Sequence, residues 1–88
     1  MRLDKYLKVS RLIKRRTVAK EVCEAGAAKI SGRVAKAGTE VKAGDIMEIR
    51  MGSKLIKVEI LATPETVRAD EAKNLYKVIG EQKVIEEI

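Results

Sequence analysis

Lysine and arginine side chains hold phosphate, and the stretch VSRLIKRRTVAKEVCEAG, residues 9–26, sets Lys14, Arg15 and Arg16 together just before Thr17 and a helix-like run. Thr17 has the chemistry of an N-cap, Gly26 that of a residue just past a C-terminus, so a helix is expected over about Val18–Ala25. Bases oppose the positive end of a helix dipole, and each exposed one costs about 0.3–1 kcal/mol there. Glu21 offsets only a little of that. Local rules broken without compensation mark functional sites. A phosphate would reverse the sign: the free N–H groups of Val18 to Lys20 would face it, and Arg15 and Arg16 would add forked donors. The plain alternative is a solvated surface loop.

Further bases extend the pattern. Arg2, Lys5 and Lys8 recur at i, i+3 and i+6, and Arg11, Lys20, Lys29, Arg33 and Lys36 follow. Residues 1–36 hold 11 Lys/Arg against three Asp/Glu, a balance of +8, whereas residues 37–88 hold eight against ten, a balance of −2, giving the net +6. A basic front half suggests a polyanionic partner for that half. The same residues argue against catalysis. There is no histidine, the commonest general base and zinc ligand, and the single Cys23 builds neither a disulfide nor a thiolate cluster. Glycine loops for nucleotides and paired carboxylates are absent too. No enzyme, metal or cofactor is expected. No apolar run approaches the roughly 20 residues of a membrane span, and MRLDKYL is no secretion signal, so a cytoplasmic protein without membrane contact is expected.

The elements that must position these bases can be read from periodicity. Leu3, Tyr6 and Leu7 give residues 2–8 one apolar helical face. Leu12 and Ile13 should tuck the following connection into the core. Val18, Val22 and Ala25 make the stripe of the second helix, with Ala19 and Cys23 beside it. The texture then turns to β. AKISGRVAK suggests a tight turn at Ser31-Gly32, a turn follows at Ala43–Asp45, and residues 46–62 read as an antiparallel hairpin turning at Gly52-Ser53. Pro64 ends that hairpin. Ala72, Leu75, Tyr76 and Ile79, at i, i+3, i+4 and i+7, predict a third helix over 69–79, and residues 80–88 an acidic tail. Asp4 starts the first helix or orients Arg2, and Cys23, Tyr6 and Tyr76 are core residues.

With only two aromatics, base stacking is not the expected mode, and recognition of folded RNA by phosphate and shape suits a basic helix-loop-helix better. A DNA-binding helix-turn-helix is the competitor, but TVAKEVCEAG offers few base readers. Residues 2–50 contain R-L-D-K-x-L, a basic segment entering a helix at R-T, an A-G ending, an I-x-G turn and V-x-x-G-D, in that order. In this they resemble the S4 RNA-binding domain. The resemblance implies an α+β fold of S4 type (the αL motif), with two N-terminal helices packed on a small antiparallel sheet, plus the C-terminal helix. It implies a division into residues 1–62, the S4 domain with its hairpin, and 63–88, the C-terminal helix and tail of the same domain. GSKLIKVEIL and EAKNLYKVI extend the similarity to the free-standing RqcP family, related to the fifteen-kilodalton heat shock protein.

That family implies a non-catalytic role in ribosome-associated quality control. Such a protein holds peptidyl-tRNA against rRNA on a stalled large ribosomal subunit while RqcH adds alanines to the nascent chain. A monomer is expected. The alternative is a general rRNA-binding ribosome assembly or heat-shock factor. The motif carries an RNA-contact role onto Arg2 and Arg16. Lys5, Lys8, Arg11, Lys14, Arg15, Thr17 and Lys20 join them as supporting contacts, and Lys29, Arg33 and Lys36 as an extension.

Overall fold

Alternating apolar residues organise the chain into one antiparallel sheet, onto which the N-terminal helices pack. The computed structural model describes residues 1–83. Helices α1 (Leu3–Val9) and α2 (Arg16–Glu24) come first. Strands β1 (Ala28–Ile30), β2 (Arg33–Val34), β3 (Ile46–Met51) and β4 (Lys54–Ile60) follow, then a 3-10 helix (Ala69–Leu75) and β5 (Tyr76–Lys83). The strand order is β2-β1-β3-β4-β5, with all pairings antiparallel. This is the α+β arrangement expected from the sequence.

The turns form where their chemistry allows. Ser31 and Gly32 both take positive φ (51° and 84°), as a two-residue hairpin between Ile30 and Arg33 requires. Gly44 (φ 95°) turns Lys42 into Asp45, whose carboxylate accepts the Lys42 N–H at 3.0 Å. One face of the sheet carries Ala28, Met47, Ile49, Val58 and Ile60, all buried. Leu3, Tyr6 and Leu7 of α1 and Ala19 and Cys23 of α2 close over it in one core. Ile13 is buried and Leu12 half-buried, so the α1–α2 connection is anchored as its apolar pair predicts.

The buried stripe of α2 is not the expected one. Ala19 and Cys23 face the core, while Val18 is 41% exposed and Ala25 is also exposed. Small residues let the helix sit close, and the β-branched Val18 falls to its flank. The helix ends in a Schellman arrangement, with Gly26 N–H donating to the Cys23 carbonyl and Ala27 N–H to the Val22 carbonyl, Gly26 having φ 78°.

A helical segment starts at Ala69 as expected, but it is a 3-10 helix and stops at Leu75. Tyr76–Ile79 belong to β5, not to a helix continuing to 79. The i, i+3 spacing of Ala72 and Leu75, both buried, suits a 3-10 turn as well as an α-turn. Residues 80–83, expected in the tail, complete β5; residues 84–88 of that tail lie outside the described residues. Strand β5 pairs along all of β4, with a bulge where Lys57 opposes Gly80 and Val58 opposes Val78, leaving Ile79 between. Where β5 begins, the Leu75 carbonyl accepts Leu61 N–H at 2.8 Å, Ala62 N–H at 3.3 Å and the Tyr6 hydroxyl at 2.7 Å. Burial raises the Tyr6 phenol far above its ordinary pKa, so it stays a donor.

Candidate nucleic-acid interface

The interface is built where α1 ends and α2 begins. Helix α1 buries Leu3, Tyr6 and Leu7, which turns Lys5 and Lys8 outward. Past the C-cap Ser10, the chain reverses at Arg11, whose φ is 61°. This is the left-handed position after a helix that glycine usually fills. The loop then delivers Lys14 and the first residue of α2, Arg16. Lys5, Lys8, Arg11, Lys14 and Arg16 converge on one groove, together with Val9 and with Glu65, Thr66 and Val67 from the link after β4.

Asp4 organises the groove's edge from beneath. Its side chain is 4% exposed and accepts from Arg2 Nε at 3.2 Å, from Arg16 Nε at 3.4 Å and from the Lys5 backbone N–H at 2.8 Å. Burial alone would raise its pKa, but the Arg2, Lys5 and Arg16 donors outweigh burial and hold the carboxyl below its ordinary value. Asp4 therefore does both things expected of it: it sits in the first turn of α1, and it orients Arg2. It also ties Arg2 to Arg16 across 14 residues of sequence. Arg2 is further packed against Gly38, whose Cα hydrogen side faces its guanidinium; a Cβ there would stand 3.8 Å from an Arg2 terminal nitrogen. The strand-like bridge between Arg2 and Glu40 fixes the backbone on the same side.

The start of α2 differs from the expected one. The N-cap is Arg15, not Thr17, and its side chain makes no capping hydrogen bond. Thr17 is the second helical residue and is exposed. The first intrahelical bond runs from Ala19 N–H to the Arg15 carbonyl at 3.0 Å, so the free N–H groups belong to Arg16, Thr17 and Val18, not to Val18–Lys20. The first turn holds no acid, and the unfavourable placement of bases against the dipole is real. Arg16 stands out for its place in the groove and its bond to Asp4, not for preceding a cap.

The remaining bases lie elsewhere. Arg15 at the N-cap and Thr17 and Lys20 on α2 are exposed but do not line the groove. Lys29 lies opposite Glu48 on the solvent face of the sheet, in a separate depression with Arg50 and Leu55. Arg33 and Lys36 are exposed around the β1–β2 hairpin. Glu65, Thr66 and Val67 were not foreseen as part of the site. Glu65 pairs with the Lys5 ammonium, whose hydrogen bond and charge lower the Glu65 carboxyl pKa. A partner 60 positions away leaves no periodic signal. Cys23 is buried, and burial raises its thiol pKa to about 11, which fits an inert core residue. Among the described residues, no group of three or more His, Cys, Asp or Glu is placed to hold a metal. Among the same residues, no helix is long and apolar enough to cross a membrane.

Comparison with known proteins identifies the family and the fold. The S4 domain family matches residues 1–47. A Halalkalibacterium halodurans protein named RQC P-site tRNA stabilizing factor is 62% identical over 84 residues, covering 96% of each chain. The Bacillus subtilis protein of that name is 50% identical over 84 residues, covering 96% of this chain and 98% of its own. A trimeric structure of Vibrio cholerae heat shock protein 15 superposes with a TM-score of 0.82 at 32% identity, covering 89% of this chain and 80% of that one. The chain belongs to the S4 domain family, in the group formed by the RQC P-site tRNA stabilizing factors.

Proposed function

We propose that this protein is a non-catalytic RNA-binding factor of ribosome-associated quality control. It binds large-subunit rRNA and peptidyl-tRNA on stalled large subunits and supports RqcH-driven C-terminal alanine tailing. It acts as a monomer in the cytoplasm, on the ribosome. The observation that carries this reading is the groove in which Lys5, Lys8, Arg11, Lys14 and Arg16 converge, beside the uncapped N-terminus of α2. Five cations and the free N–H groups of a helix start suit several phosphates of a folded RNA. The relatives' name supplies the ribosomal setting. In this reading Arg2 and Arg16 are the principal contacts, Lys5, Lys8, Arg11 and Lys14 complete the groove, and Arg15, Thr17 and Lys20 touch RNA that continues along α2. Lys29, Arg33 and Lys36 extend the contact to the hairpin.

The test is recovery of the tagged protein from cells. Large subunits carrying peptidyl-tRNA and RqcH should come with it, and Arg16→Ala should weaken that association while leaving the circular dichroism spectrum unchanged. The likeness to heat shock protein 15 favours a second reading, a general rRNA-binding assembly or heat-shock factor using the same groove. Co-sedimentation with assembling particles that lack peptidyl-tRNA would support that reading and reject the first.

A further inference from the structure

Among the described residues, the cationic groove contains one acid. Glu65, on the irregular link between β4 and the 3-10 helix, lays its carboxylate against the Lys5 ammonium, and Thr66 and Val67 of the same link form the adjoining wall. Glu65 is 79% exposed, so no packing forces it there. A carboxylate on a lysine occupies the place that a phosphate oxygen would take in a complex. Lys5 is thus the one cation in the groove already engaged by an acid of the link, whereas Arg16 is engaged by the buried Asp4 beneath the surface.

We infer that Glu65 is a selectivity residue of the groove: an internal competitor for phosphate at Lys5, displaced only by an RNA whose backbone meets Lys5 together with its neighbours. An isolated anion gains one exposed contact and must break one of equal kind, so it gains nothing at Lys5. An RNA that also meets Lys8, Arg11, Lys14 and Arg16 gains several contacts for the one it breaks. The inference rests on the reading of the groove as a phosphate site.

The test is a double-mutant cycle on binding to a labelled RNA hairpin at fixed low salt, using the full chain. Glu65→Gln should tighten binding about 1.5- to 5-fold, the range that an exposed ion pair accounts for. In a Lys5→Ala background the same substitution should produce no tightening, because the competed cation is gone. Equal tightening in both backgrounds would mean that only net charge matters and would overturn the inference while leaving the groove reading intact. Unchanged or weaker binding of Glu65→Gln would overturn it as well. A separate salt series in which wild-type binding did not weaken with added salt would reject the groove reading, and the inference with it.

Discussion

Asp4 shows how much a single buried carboxylate can organise. Two arginines and a backbone N–H converge on it, and each would lose a charged partner if it were neutralised. Both guanidiniums are about half exposed, so water screens part of the effect. Asp4→Asn should therefore destabilise the fold at neutral pH by about 1 kcal/mol, below the roughly 1.5–3 kcal/mol usual for bonds to charged groups because of that screening. Because the folded pKa is lowered, this stabilisation is fully present above the ordinary carboxylate range and is lost as pH falls through the folded value. The difference between wild type and Asp4→Asn in urea unfolding should accordingly shrink as pH drops below about 4. In sequence, R-L-D-K places Asp4 beside Arg2, and that half of its role was legible. The bond to Arg16 was not, because it depends on how the α1–α2 loop folds back.

Among the elements, α1 is shaped as much by its exit as by its apolar face. A side chain at the left-handed position after a helix costs roughly 1–2 kcal/mol relative to glycine. Arg11 accepts that strain (φ 61°) and thereby enters the groove. Arg11→Gly should leave thermal stability unchanged or raise it by about 1 kcal/mol, while weakening RNA binding. Scanning calorimetry and a filter-binding titration of one preparation would show binding weakened with no loss of stability. The first helix and the 46–62 hairpin were legible because their apolar periods are clean, and the β1–β2 turn because Ser31-Gly32 has turn chemistry. The third helix was read too long, since i, i+3 positions coincide in 3-10 and α turns, and the bulge at Ile79 breaks the alternation that would have marked β5. The α2 start was misplaced because Thr17 has capping chemistry, yet the chain turns helical before reaching it.

For the whole molecule, charge asymmetry translates into a salt dependence. If the groove supplies all the phosphate contacts, its five cations should give a log–log slope of association constant against salt of about −3.5 to −4.5, at roughly 0.7–0.9 per contact. Engagement of Arg2, Arg15, Lys20, Lys29, Arg33 and Lys36 as well, eleven cations in all, would steepen it to about −7.7 to −9.9. Fluorescence anisotropy across a salt series separates the two. All the groove's cations lie within the 47 residues that match the S4 domain, which is why the site could be anticipated from composition and motif. Its acidic member comes from beyond that stretch.

The Tyr6 hydroxyl reaches the Leu75 carbonyl across 69 positions of sequence. Contacts this distant along the chain close late and slow folding, since the intervening loop must be ordered first. During synthesis the first helix emerges long before its partner does. Its phenol can be satisfied by protein only once Leu75 has left the exit tunnel and β4 has turned to meet it. A nascent chain cut short anywhere between the end of β4 and residue 75 would carry every cation of the groove and still lack the bond that seats the helix presenting Lys5 and Lys8.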